Sequence, residues 1–409
     1  MQVLLVTNMI FSFAMPVVYM FIGAYILRNT SSVSMVVTYQ LASYTGIPLT
    51  FLLSGYLMRH VQIKRLYSLG MLLCGVSMTI MMAIPKLDLK GVGIAGLVLG
   101  MGFGLFWSSR DFLALSSTND GNRNYYFGLD SFFAITTSLI VPIFVGWFLE
   151  GSAHWLGDIN RGYHVVTGGV FAVAILASLV VHRGVFVNPP LTRFVFFRFH
   201  PLWRRFLILA VLKGLAQGYI VTAPAMLVTR FLGKEGVLGS VQGVGVLFSA
   251  GLVYLIGRNI RPGQRILVFA LGLSLFALGG IANAALFNST GVVIFMICLL
   301  LGSPLLDFAY APIALRVVDT VSALEGRNQF SYIFNHEFGL FVGRLAGCGL
   351  FIVLANEVSD VVALRYALMV IGLLQLLSIP VARWVESHSN MALAPTKKEE
   401  PAAAVLSCQ

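Results

Sequence analysis

Five ionisable residues stand one or more turns inside long apolar runs of this chain: Asp130, Lys213, Asp307, Glu337 and Arg344. A charge at the centre of a membrane helix costs about 2.5 to 3.5 kcal/mol on insertion scales, so such side chains face protein or water and mark pathways for ions and solutes. Arg344 offers a planar fork suited to a carboxylate or phosphate. Glu337, seven residues earlier, shares its face about 10 Å away along the axis, too far for direct contact on a straight helix, and is a candidate proton carrier. Its neighbour His336 points about 100° away and is expected to pack or hydrogen-bond locally. Lys213 and Gln217, four residues apart, share a helix face. Asp307 has Pro304 and Tyr310 three residues to either side, combining a candidate backbone break with a phenol. A carboxylate there can exchange protons or hold a cationic group; the plainer alternative is a permanent Lys213–Asp307 bridge that fixes helix packing. Asp130 lies close enough to the start of its run to serve the positive end of a helix, and Arg110-Asp111 lie near another helix end.

The elements that position these residues must be membrane helices. The chain is 58% hydrophobic and 11% charged over 409 residues, roughly half the usual charged share. It contains repeated apolar runs of about 20 residues, the length that crosses about 30 Å of hydrocarbon. Twelve runs can be drawn, the first over 3–27 and the last over 360–384, predicting an all-α polytopic protein. Cys74, Cys298, Cys348 and Cys408 have no paired spacing, which argues against a disulfide framework or a metal site. The net charge of +11 comes from 27 Lys and Arg scattered between the runs, a topology signal rather than a nucleic-acid footprint.

Sorted into alternate loops, 18 of those 27 fall on one side and seven on the other, with Lys213 and Arg344 inside helices. The richer side is expected in the cytoplasm, together with both termini. A basic break with five arginines and Pro189-Pro190 divides the helices six and six. The expected organisation is a first bundle over 1–185, a cytoplasmic linker over 186–203, a second bundle over 204–385 and a disordered tail over 386–409. The halves resemble each other: Gln40 and Gln242 recur 202 residues apart, Arg59 to Arg65 recurs as Arg258 to Arg265, and Gly121 to Asn124 as Gly326 to Asn328. Asn29 and Asn288 match the glycosylation pattern, but in very short loops.

Six plus six helices, a basic central loop and parallel half-repeats resemble the major facilitator superfamily of secondary transporters. That family's signature after the second helix, broadly Gly-x-Leu-Ala-Asp-Arg-x-Gly-Arg-Arg, corresponds here to Gly55 through Arg65. Gly55, Leu57 and the basic Lys64-Arg65 match, whereas Arg59 stands where the acid belongs and Gln62 where the second glycine belongs. The resemblance implies a gating role for Arg59, Lys64 and Arg65. A fifth-helix exporter motif is met only by Pro142 and Gly146. The resemblance also implies that the first, fourth, seventh and tenth helices line a central cavity. Lys213, Gln217 and Asp307 would then bind solute or couple its movement. Glu337 and Arg344, on the eleventh helix, are candidates for the same work by their charge inside the membrane, and Trp107, Tyr39, Gln40 and Tyr44 offer an uncharged wall, the alternative for the aromatics being to anchor helices at the interface. Gly96, Gly100 and Gly104, four residues apart, fit close helix packing.

No His-Glu-x-x-His run and no phosphate-cradling Gly-x-x-x-x-Gly-Lys loop occurs. These features point away from an enzyme, from a bound cofactor and from ATP as the energy source. The expected function is secondary active transport of a small organic solute, coupled to protons, by a monomer in a bacterial inner membrane. The alternative is a transporter-shaped protein that senses or assembles without transporting.

Overall fold

The computed structural model describes residues 1–84, 86–117, 123–186, 188, 195–233, 235–259, 264–327 and 329–393. Residues 118–122, Pro189-Pro190, residues 260–263 and the tail from 394 lie outside the described residues, as does the side chain of Asp111. Among the described residues the chain is helical throughout, with no strand. The first passage is α1 (Gln2–Ser12) and α2 (Met15–Thr30), followed by α3 (Val33–Leu57), α4 (Ile63–Ala83), α5 (Leu89–Ser117), α6 (Arg123–Trp155) and α7 (Ile159–His182). The seventh passage is α8 (Pro201–Ile220) and α9 (Ala223–Leu232), followed by α10 (Glu235–Asn259), α11 (Arg265–Leu286), α12 (Ser289–Glu325) and α13 (Gln329–Glu357). The last passage is α14 (Asp360–Gln375) and α15 (Ser378–Leu393).

Eleven of these passages are long and apolar enough to cross a membrane, and the described apolar part of α10, Gly239–Leu252, supplies the shorter twelfth. The protein is therefore a multi-pass integral membrane protein of two six-helix bundles. Two helices outrun their apolar runs. α12 continues past residue 315 to Glu325, stopped by Gly326 at φ 60°, and α15 continues through Glu386 to Leu393. α12 also passes uninterrupted through Pro304 and Pro312, so Pro304 does not make the expected break. A transmembrane helix tolerates the lost hydrogen bond when neighbouring helices support it, and α11 packs along α12.

Several helix starts are fixed by side chains that accept an orphan N–H. Ser32 caps α3, Asp158 caps α7, Asn288 caps α12 and Ser359 caps α14. Asn288 is thus a capping residue. The breaks in the first and seventh passages have a shared cause in proline, which cannot donate to the helix ladder. Turn residues Phe13 and Ala14 precede Pro16, and Val221 and Thr222 precede Pro224, each position recurring 208 residues later. This adds an independent register to the internal repeat. The segments beyond the two breaks, α2 and α9, pack on each other, with Gly23 against Ala225.

The bundles also meet where α3 packs on α13 and α6 on α10. Within the first bundle α5 lies tightly on α3, and a Cβ at Gly100 would fall 1.9 Å from the Ser43 carbonyl oxygen. Within the second, α8 lies as tightly on α13. The topology brings Met1, the α3–α4 loop, residue 188 and the start of α8 to one end of the bundle, the basic end. There Asn188 holds the α3–α4 loop: its Oδ1 accepts from the Ile63 N–H at 2.9 Å, and its Nδ2 donates to the carbonyls of Met58 at 2.7 Å and Val61 at 2.8 Å.

Candidate functional site

Between the bundles lies a cavity of about 390 Å³, within the range of small-molecule sites. The first bundle contributes Tyr19, Gln40, Tyr44 and Trp107 to its wall, and the second contributes Gln217, Glu337 and Arg344. Six of the residues selected from the sequence, Gln40, Tyr44, Trp107, Gln217, Glu337 and Arg344, therefore share one cavity. Arg344 is buried. Its Nε and Nη2 donate to Gln217 Oε1 at 3.0 and 2.8 Å, its Nη1 pairs with Glu337 Oε2 at 3.4 Å, and its guanidinium lies 4.7 Å from the centre of the Tyr44 ring. The Tyr44 hydroxyl donates to the Gln217 carbonyl across the bundle interface at 2.8 Å.

The contact between Glu337 and Arg344 corrects the expectation that two turns of helix keep them out of direct contact. Side chains on a helix lean towards its N-terminus, so the long Arg344 side chain reaches back over the intervening turns. Tyr39 is not among the residues lining this cavity; its carbonyl is pressed against Gly96 of α5.

Lys213 and Asp307 form an ion pair at 3.0 Å, with the Asp307 side chain 71% exposed. The Lys213 ammonium also sits 4.0 Å from the Tyr310 ring centre. The Tyr310 hydroxyl meets His336 Nε2 at 2.7 Å, and His336 stacks on Phe206, the local role expected of it. Lys213, Asp307 and Tyr310 line a separate cavity inside the second bundle, which meets the central one at Gln217 and Val221. Lys213, Asp307, Glu337 and Arg344 thus fall into two pairs, one at each cavity.

The first bundle holds a cluster that the sequence reading missed. Asp130 sits about two turns inside α6, beyond the reach of a helix-start effect, and is ion-paired with Arg110. Its Oδ1 accepts from Asn8 Nδ2 at 2.8 Å, the same amide group donates to the Tyr126 hydroxyl at 3.0 Å, and the Tyr67 hydroxyl donates to Asn8 Oδ1. Arg110 also lies 5.0 Å from the Trp107 ring centre. The available signal was that each charge has an opposite partner in an adjacent apolar run.

The gating candidates lie at the basic end. Arg59 is exposed, with its guanidinium 5.4 Å from the Tyr56 ring centre, Lys64 Nζ donates to the Gly184 carbonyl at 3.3 Å, and Arg65 is exposed. Asn188 ties this loop to the segment after α7.

No family model matches the sequence. It is 22% identical over 364 residues to Uncharacterized protein YqgE of Bacillus subtilis, covering 86% of this chain and 82% of that one. It is 27% identical over 173 residues to Uncharacterized protein in sodM 3'region of Geobacillus stearothermophilus, covering 42% of this chain and 76% of that one. The structure superposes on that of a proton dependent oligopeptide transporter with a TM-score of 0.69 over 96% of this chain and 99% of that one, at 13% identity. The fold is that of the major facilitator superfamily. A POT family transporter in complex with 5-aminolevulinic acid gives a TM-score of 0.67 at 13% identity, covering 96% of each chain. At that identity the likeness carries the major facilitator architecture and leaves the chemistry to the residues of this cavity.

Proposed function

We propose that this protein is a secondary active transporter that moves a small organic solute by alternating access and is driven by protons. The observation that carries this reading is the central cavity, where Arg344 and Glu337 from one bundle face Gln40, Tyr44 and Trp107 from the other. A solute touching both walls makes different contacts when the bundles rock, which is the differential interaction that a conformational change requires. The guanidinium binds an anionic group in place of Glu337, and a proton taken up by Glu337 releases it from Arg344. Proton uptake and solute binding then favour one another. Asp307, paired to Lys213 in the adjoining cavity, is the second candidate carrier. The architecture shared with proton dependent oligopeptide transporters supports the same energy source.

In this reading residues 1–185 and 204–385 are the rocking units and 186–203 joins them, with Arg59, Lys64 and Arg65 at the gate. The protein works as a monomer in a bacterial inner membrane, with both termini in the cytoplasm. Purified protein in liposomes tests it. An imposed pH gradient should drive solute accumulation, and Glu337→Gln or Asp307→Asn should abolish that drive while exchange of labelled for unlabelled solute persists. Arg344→Gln should insert normally and lose both activities. Accumulation that ignores pH and survives a protonophore would refute proton coupling, and a folded protein without saturable flux would favour the sensing alternative.

A further inference from the structure

A second cavity, of about 340 Å³, adjoins the central one, and both are lined by Tyr19 and Trp107. Its polar wall comes from Asn8, Ser12, Thr137, Ser138 and Gln242, with Arg110 and Asp130 as its charges. Those two charges are paired with each other. The compartment is therefore rich in neutral hydrogen-bonding groups without offering a free charge of either sign.

The internal repeat relates this compartment to the central one. Gln40 lines the central cavity and Gln242, its partner 202 residues on, lines the second. The central compartment presents the Arg344 guanidinium, and the other presents the Ser138 hydroxyl. The divider is flat and aromatic: Tyr19 stacks on Phe103 at 5.0 Å and 26°, while Trp107 is fixed by the edge of Phe106 at 5.0 Å and by Arg110.

We infer that the two cavities are one bipartite solute site. It takes an elongated organic acid whose anionic end lies at Arg344, whose flat apolar middle lies against Tyr19 and Trp107, and whose neutral polar end is held by Ser138 and Gln242. The inference rests on the reading of the central cavity as the solute site and names the class of solute. A simple acid uses one compartment only. A polar group at its far end adds one or two hydrogen bonds, because burying that group without partners would be unfavourable.

The test uses two probes of one shape, biphenyl-4-carboxylate and 4′-carbamoyl-biphenyl-4-carboxylate, titrated calorimetrically into the purified full chain in detergent micelles. The carbamoyl acid should bind at least about tenfold more tightly, the equivalent of one to two hydrogen bonds. Ser138→Val combined with Gln242→Leu should reduce that ratio to about threefold or less, and Arg344→Gln should remove binding of both acids. The single variants Ser138→Ala and Gln242→Ala give the same comparison if the pair does not fold. Equal binding of the two acids, or a ratio that survives these substitutions, would overturn the bipartite site while leaving Arg344 as the anchor. Binding unaffected by Arg344→Gln would instead overturn the reading of the central cavity, and failure of the native chain to bind either acid would overturn the solute class.

Discussion

Arg110 and Asp130 are individually costly in a membrane bundle and tolerable only as a pair. Removing one partner of a buried ion pair leaves a desolvated charge, which costs about 3 to 5 kcal/mol, whereas removing both is much milder. Here Asp130 also takes the Asn8 amide, so its loss disturbs the first passage too. Arg110→Gln and Asp130→Asn should each lower the melting temperature of the purified protein, and the combined variant should melt above either one. Additive losses would show that the pair contributes nothing as a pair. At this scale the sequence was partly legible. Lys213, Gln217, Glu337 and Arg344 stood out because charge or amide inside an apolar run is rare, and they do gather near one another. Asp130 was misread because its distance from the helix start was short in sequence, while its partner Arg110 lies on another helix that only the fold brings alongside.

At the scale of helices, the position of Arg344 depends on how closely α13 approaches α8. A Cβ at Gly343 would stand 2.0 Å from the Val211 carbonyl oxygen, and one at Gly214 would stand 2.1 Å from that of Leu340. Backbone atoms cannot yield as a flexible side chain can, so even a methyl group at Gly343 forces the helices apart and draws Arg344 from Gln217. Gly349, further along the same helix, has nothing within 4 Å of the same position. Gly343→Ala should therefore reduce the yield of folded protein, measured by the monodisperse fraction after solubilisation, and Gly349→Ala should leave it unchanged. Most helix ends were readable from apolar length, since that length is set by the bilayer. The continuation of α12 to Glu325 was not, because a helix leaving the membrane no longer needs apolar residues. The breaks before Pro16 and Pro224 were also missed, since each lies within an unbroken apolar run.

For the whole molecule, the charge asymmetry of the loops makes a definite statement about sidedness. The basic end should face the cytoplasm, because basic loops are retained there during insertion. Phe197, 92% exposed after α7, belongs to that end, and Trp155, 73% exposed at the end of α6, belongs to the other. In a variant cleared of native cysteines, Phe197→Cys should resist an impermeant thiol reagent in intact cells, while Trp155→Cys should react. The reverse pattern would invert the topology.

Asn188 also bears on the order in which the protein is made. Its three hydrogen bonds among the described residues go to residues 58–63, so they can form while α8 and everything after it are still to be translated. Domains tend to fold as units, the earlier one first, as the chain emerges from the ribosome. The first six passages can thus be fastened at their open end before the seventh enters the membrane, protecting a half-built protein from quality-control proteolysis. A gene split after codon 200 should accordingly yield a first fragment that persists in membranes when expressed alone, and Asn188→Ala should shorten its half-life in a pulse-chase. Equal half-lives would mean that this fastening has no part in biogenesis.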